Sequence, residues 1–210
     1  MTTLLLASAS PARLATLRSA GVRPDVRVSD VDEPAVLTAA VLGAGGTMPA
    51  AEQVLVLARA KAEDVAAHAP SADVVLGCDS MLELDDGSGP DVLGKPADAA
   101  DAVARWRRMR GRSGVLHTGH WLVRPGGGEA GGTSSTVVHF ADLADDEIEA
   151  YVATGEPLVV AGAFTVDGLG GAFVTAIEGD YHGVVGVSLP LVRVLLAELG
   201  LAWTDLWAPR

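Results

Sequence analysis

Five short stretches of this 210-residue chain carry side chains able to do chemistry. Ser8-Ala-Ser10-Pro-Ala-Arg13 places two hydroxyls and a guanidinium at a strand-to-helix turn. Exposed amides at a helix N-terminus together with Arg make an anion site, although a plain capped helix has the same letters. Gly77-Cys-Asp79-Ser80 puts a carboxylate just past a buried strand, where it suits a metal ligand, a general base or a simple turn. Asp30, Asp32 and Glu33 form an acidic cluster able to hold Mg²⁺ or to serve as a solvated loop. Gly94-Lys95-Pro96 resembles part of a phosphate-binding loop only superficially, since Pro96 follows the lysine and no helix starts there. Glu178-Gly-Asp180 before Val184-Val-Gly186 reads as a strand end lining a cleft, or as a turn.

Lys61 and Lys95 are the only lysines among 15 basic residues. A surface position exchanges Lys for Arg freely, whereas a site needing a compact ammonium does not. His117 and His120 lie three apart in an expected strand, so they face opposite ways and are no natural ligand pair. The run Arg105, Arg107, Arg108, Arg110 and Arg112 reads as a solvated helix face or a partner contact.

These residues need elements to hold them. Leu4–Ala7 reads as a strand, with Ser10 as N-cap, Pro11 opening a helix and Gly21 closing it. Val26–Val28 is a possible second strand, and residues 42–49 read as a loop. Ala50–His68 reads as a helix with Val54, Leu57, Ala58 and Val65 on one stripe. Lys61 falls at the centre of that stripe, where a lysine either snorkels outward or lines a cavity. Val74–Leu76 and Met81–Leu84 are extended, with a hairpin turn over Asp85–Pro90. Asp98–Met109 is a helix burying Val103, Trp106 and Met109. Val115–Val123 and Thr133–Phe140 form a hairpin around the glycine-rich loop Pro125–Gly132. Asp145–Thr154 is a helix closed by Gly155 and Pro157, Ala163–Val166 and Phe173–Ile177 are strands, and Ser188–Leu199 is the last long helix. Strands alternating with helices make a mixed α/β fold.

Composition excludes several classes. At 49% apolar the chain has material for a core, so disorder is excluded. Fifteen basic against 27 acidic residues give a net charge of −12, which repels nucleic acid and anionic membrane. The single Cys78 excludes a disulfide framework and a thiolate zinc cluster. The three leucines near the N-terminus lack a basic flank and are no signal peptide. Residues 158–177 carry one charge, Asp167, but four glycines break the run, so two strands explain it better than a spanning helix. A soluble cytoplasmic protein is expected.

Taken together, the stretches resemble the Maf family of nucleoside triphosphate pyrophosphatases. The match runs from Leu4 to Gly200 and makes residues 1–210 a single Maf-like domain. Its pieces include Leu5-Leu-Ala-Ser-Ala-Ser-Pro-Ala-Arg13, Val31-Asp-Glu33, Ala58-Arg-Ala-Lys-Ala62, Gly77-Cys-Asp-Ser80, Leu93-Gly-Lys-Pro96 and Tyr151-Val-Ala-Thr-Gly-Glu-Pro157. The resemblance implies an α/β fold similar to inosine triphosphatases, with an elongated mixed sheet, flanking helices and two lobes around a central cleft. It implies hydrolysis of an NTP, dNTP or modified NTP to the monophosphate and pyrophosphate, aided by Mg²⁺ or Mn²⁺. The partner implied is a small-molecule nucleotide, and often a second copy in a homodimer. By matching position, Asp79 would be the proton acceptor, with Ser8, Arg13, Lys61 and Lys95 on phosphates and Glu33 assisting metal or substrate. Asp79 would share the metal, while Ser10, Ser80 and Asp167 would line the substrate site. The alternative is a non-catalytic nucleotide-binding regulator of cell division.

Three positions depart from the pattern of members that prefer dTTP and UTP. Ala12, Ser80 and Asp167 stand where those members usually carry Arg, Thr and Gln, and Gly114 replaces a frequent histidine. Preference for dTTP or UTP is therefore not implied. A Gln offers donor and acceptor, while an ionised Asp167 offers acceptors only and suits a donor-rich edge such as guanine or the cytosine amino group. The same Asp167-Gly168 pair also makes an ordinary turn.

Overall fold

The computed structural model describes residues 2–85, 87 and 89–207. In chain order its elements are β1 (Leu4–Ala7), α1 (Pro11–Ser19), β2 (Asp25–Val26), α2 (Glu33–Gly43), α3 (Ala50–Ala67), β3 (Val74–Asp85) and β4 (Pro90–Leu93). There follow α4 (Ala99–Met109), β5 (Ser113–Arg124), β6 (Gly128–Phe140), α5 (Asp145–Ala153), β7 (Val174–Glu178), α6 (Tyr181–Val185) and α7 (Leu189–Glu198). The strands make one mixed sheet ordered β2-β1-β3-β5-β6-β7, with β4 pairing β3. β1 runs parallel to β2 and β3, while β4 and β7 are antiparallel to their neighbours. The expected mixed α/β class is therefore the one observed.

Two compact units divide the chain. The first takes residues up to Asp79, Thr118–Ser134 and everything from Gly186 on. Its apolar β-strand residues Leu4, Leu6, Val74 and Leu76 pack with Leu17 of α1 and Val192, Leu195 and Leu196 of α7. Ala7, Val75 and Val65 of α3 form a separate small cluster, so this part of the sheet has two apolar faces.

The second unit takes Ser80–His117 and Ser135–Val185. Its core is built on Trp106 of α4, which meets Phe140, Tyr151 and Phe173 edge-on with centroids 5.5–5.9 Å apart. The indole N–H is satisfied at 2.7 Å by the Ala163 carbonyl. The arginines of α4 and its exit meet acidic residues: Arg107 and Arg110 reach Asp145, Arg108 reaches Asp91, and Arg105 reaches Asp101. That is a solvated face laced with ion pairs, each of small value.

Several elements differ from the sequence reading. Ala163–Val166 is not a strand. Gly162 and Ala163 take positive φ (72° and 59°), and the Ala163 carbonyl goes to Trp106 instead of a ladder. Residues 33–43, given no element by the sequence apart from a loop from residue 42, form α2, capped by Asp32 and opened by Pro34. The glycine-rich stretch after Pro125 is mostly strand: β6 begins at Gly128, because a bare Gly131 lets the Trp121 ring lie against the backbone. The expected turn over Asp85–Pro90 includes Asp86 and Ser88, which lie outside the described residues, but Asp85 pairs with Pro90 across its ends. No helix among the described residues is long and apolar enough to cross a membrane.

Candidate active site

Two glycines set the geometry of the first unit. Gly77 and Asp79 lie two apart on β3 and so share a face. A Cβ at Gly77 would collide with the Ala58 carbonyl of α3, and one at Gly119 of β5 with the Val54 carbonyl. The helix therefore sits directly on the sheet, aided by the small residues Ala58 and Ala62. Lys61 follows Ala58 by three residues, on the same helix face. Its Nζ lies 2.6 Å from Asp79 Oδ1 and 2.9 Å from Glu33 Oε1.

Asp79 is thus inside the long strand β3, not just past a short one as the sequence reading had it. Continuous pairing fixes its backbone more firmly than a turn would. Lys61 and Asp79 are 8% and 9% exposed, so the lysine does not snorkel to water. Burial pushes the Asp79 carboxyl above its ordinary value, and the Lys61 and Arg13 charges offset this only in part. A carboxylate with raised proton affinity is the better base near neutral pH. Glu33 reaches the pair from the start of α2, whose Asp32 cap accepts from the Ala35 amide at 3.0 Å and which packs on α3.

The capped strand-to-helix turn is built as expected. Ser10 caps α1 through the Arg13 amide, and the Ser8 hydroxyl accepts from the Ser10 amide at 3.2 Å and from Arg13 Nη1 at 3.1 Å. The Arg13 guanidinium also donates to the Cys78 carbonyl and the Gly186 carbonyl, each at 2.8 Å. Gly186 takes φ +121°, and a Cβ there would crowd Arg13 Nε at 3.2 Å. The backbone at Gly186 is accordingly the seat of an arginine. Cys78 is fully buried and its thiol is pushed up to about 11.

Ser8, Ser10, Arg13, Glu33, Lys61 and Asp79 therefore converge in one unit, while Ser80, Lys95 and Asp167 belong to the other. Lys95 is exposed, and its backbone is held by Arg105, which donates to the Gly94 carbonyl at 2.7 Å. Asp167 is exposed at the tip of a loop. Asp30 and Asp32 have structural uses: the Asp30 amide donates to Asp64, and Asp32 is the helix cap. His117 pairs with Ser135, whereas His120 accepts from the Ser188 amide at 2.8 Å. Sequence reasoning gave no role to Glu156, which organises the loop carrying Asp167. Its letters, Gly155-Glu-Pro157, read as a helix stop and as part of a family stretch, with no task for the carboxylate.

A mixed α/β chain with a buried Lys–Asp pair beside a capped Ser/Arg turn holds a carboxylate and fixed cations in one unit. The chain belongs to the Maf-like protein family, whose model matches residues 3–199. It is 57% identical over 98% of its length to a protein of Salinispora tropica, covering 87% of that protein. It is 53% identical over 98% of its length to one of Streptomyces coelicolor, covering 95% of that chain. A Rhodococcus jostii protein is 57% identical, with 99% and 97% covered. All three are named nucleoside triphosphate pyrophosphatase. Among solved structures, a nucleoside-triphosphatase (dITP/XTP pyrophosphatase) of Mycobacterium abscessus aligns with TM-score 0.39 and 17% identity, over 68% of this chain and 76% of that one.

Proposed function

We propose that the chain is a nucleoside triphosphate pyrophosphatase in which Asp79 is the general base. The activity is the one its relatives' names carry. The observation that most supports the role of Asp79 is its burial at 2.6 Å from Lys61, on a strand face fixed by a glycine-seated helix. Asp79 takes a proton from water as the water oxygen bonds to the α-phosphorus. The bond from that phosphorus to the bridging oxygen breaks, and pyrophosphate leaves with the electron pair. Lys61 and Arg13 supply fixed positive charge for an anion with growing charge, and the α1 N-terminus adds its amide dipoles. In a chain of charge −12 such local cations are what makes a polyphosphate welcome.

A divalent cation suits the same residues. Glu33 and Asp79 offer hard oxygen donors that already converge within 2.9 Å on one positive group. No cluster of three His, Cys, Asp or Glu side chains poised for a metal exists among the described residues. Mg²⁺ or Mn²⁺ would be held by Glu33 and Asp79 and would supply Lewis-acid stabilisation of phosphate oxygens. The family resemblance assigns Lys95, Ser8, Ser10 and Ser80 to substrate as well. Asp167, an acceptor-only group, favours a base with a donor-rich edge.

The test is a panel of standard and modified nucleoside triphosphates with Mg²⁺ or Mn²⁺, following monophosphate and pyrophosphate together. Equal yields of both are expected. Release of orthophosphate, or nucleotide binding without turnover, would overturn the reading, the second outcome in favour of a regulator.

A further inference from the structure

The hydrogen bonds of Glu156 lie within the second unit. Its Oε1 accepts from Tyr151 Oη at 3.0 Å, from the Gly170 amide at 2.9 Å and from Thr165 Oγ1. Its Oε2 accepts from the Leu169 amide at 3.0 Å. Tyr151 Oη in turn accepts from the Thr165 amide at 3.2 Å. One carboxylate therefore grips both ends of the segment from Thr165 to Gly170. The winding is tight: a Cβ at Gly168 would collide with the Glu156 carboxylate, and one at Gly170 with the Tyr151 hydroxyl. Between the gripped ends, Asp167 is exposed and Leu169 is 60% exposed.

A charged hub with four donors is expensive to build for a mere turn. A surface turn needs no such hub, since Asp-Gly already satisfies itself. Four donors on one carboxylate are what fixes an exposed side chain to within the tolerance that base recognition needs. The exposed Leu169 beside the acceptor-only Asp167 offers an apolar contact and a hydrogen-bonding group, two things a nucleobase uses.

We propose that Glu156 is a positioning residue for nucleobase discrimination: it holds the Thr165–Gly170 loop so that Asp167 reads the base edge. The proposal rests on the pyrophosphatase reading above, and it adds a residue that acts through another instead of touching substrate. An amide at position 156 would turn an N–H toward the Leu169 or Gly170 amide, donor against donor, and release the loop.

The test compares wild type, Glu156→Gln, Asp167→Asn and the double variant, measuring kcat/KM for GTP, CTP and UTP alongside thermal unfolding. Discrimination between the best and worst base should fall by about tenfold in Glu156→Gln, chiefly through KM, while kcat on the best nucleotide changes less than about threefold. The double variant should discriminate no worse than Asp167→Asn alone, because Glu156 acts through Asp167. A merely structural Glu156 would lower the unfolding temperature and leave the base ratio unmoved. An unchanged ratio in a folded Glu156→Gln, or additive losses in the double variant, would overturn the proposal. Tyr151→Phe keeps the ring and removes one hydroxyl of the grip; it should give a smaller drop in the same direction, and an unchanged ratio there counts against the idea if Glu156→Gln does not fold. A wild type that hydrolyses no nucleotide would sink the pyrophosphatase reading itself, a result distinct from either.

Discussion

Asp79 and Glu156 carry the same functional group in two regions, and their surroundings drive them in opposite directions. Around Asp79, burial is the largest influence, and the nearby Lys61 and Arg13 charges do not fully offset it, so the pKa rises. Around Glu156, burial also pushes upward, but hydrogen bonds from Thr165, Leu169, Gly170 and Tyr151 outweigh it, so the pKa falls. The difference is one of donors. Asp79 receives a single strong contact from Lys61 and keeps lone pairs for something else. Glu156 receives four donors, two of them rigid backbone amides, which leaves it satisfied and inert. A base must be held by its backbone and left hungry at its oxygens, whereas an anchor must be the reverse.

The largest expected effect breaks the first half of that contrast. Asp79→Asn keeps the shape and removes the proposed base, so pyrophosphate release should drop by about 10³-fold. Its unfolding temperature should barely move, because a site that raises a carboxyl's pKa disfavours the charge being removed. Near-normal turnover in Asp79→Asn would show that another group takes the proton.

Next comes Lys61→Arg. The guanidinium keeps the charge but cannot place one compact nitrogen between Asp79 and Glu33 under a helix seated on glycine. A loss of about tenfold or more in kcat/KM with the fold retained is expected. Lys95→Arg, at an exposed position, should also impair catalysis with little change in stability, as the proposed phosphate contact demands. Full activity in both variants would make the scarcity of lysine a matter of composition alone.

These two lysines also measure how far the letters alone reach. Lys61 stood out because it broke an apolar stripe, a signal strong enough to place it on the buried face before any coordinates. The capped turn at Ser10, the helix carrying Trp106 and the last helix were legible for the same reason: local periodicity and capping act within one or two turns. Ala163–Val166 misled because β-type letters say nothing about whether a partner strand is there; Trp106 claims the carbonyl instead. Helix α2 was missed although Asp32-Glu-Pro34 is a fair start signal, since its apolar run has no buried residue and gives no period to detect. Glu156 was illegible for a different reason. Its partners are amides of residues 13 and 14 positions away, and a backbone N–H has no letter.

A smaller effect separates the two carboxylates by pH. Glu156 has its pKa lowered in the folded state, so its contribution is present above the unfolded carboxylate range and is lost as pH falls through the folded value. The gap in unfolding temperature between wild type and Glu156→Gln should therefore be widest near neutral pH and close on acidification. Asp79 has the opposite sign: its raised pKa means that stability is lost as pH rises from the unfolded value through the folded one. A pH scan of both variants by calorimetry in which the gaps open in the same direction would contradict the contrast.

The smallest effect uses Cys78, the neighbour of Asp79, as a reporter. Burial is the main reason its thiol stands at about 11; Arg13 and Lys61 pull it down and Asp79 pushes it up. At pH 8 only about one thiol in a thousand is then ionised, so alkylation of the folded protein should be slow and should accelerate on unfolding. Removing the Asp79 charge takes away one upward push, so Asp79→Asn should alkylate slightly faster than wild type under native conditions. Glu156→Gln belongs to the other unit and does not act on this thiol, so its rate should match wild type. Mass spectrometry after timed iodoacetamide exposure reads both. Equal rates in all three proteins would mean that the Asp79 charge does not govern this thiol's reactivity.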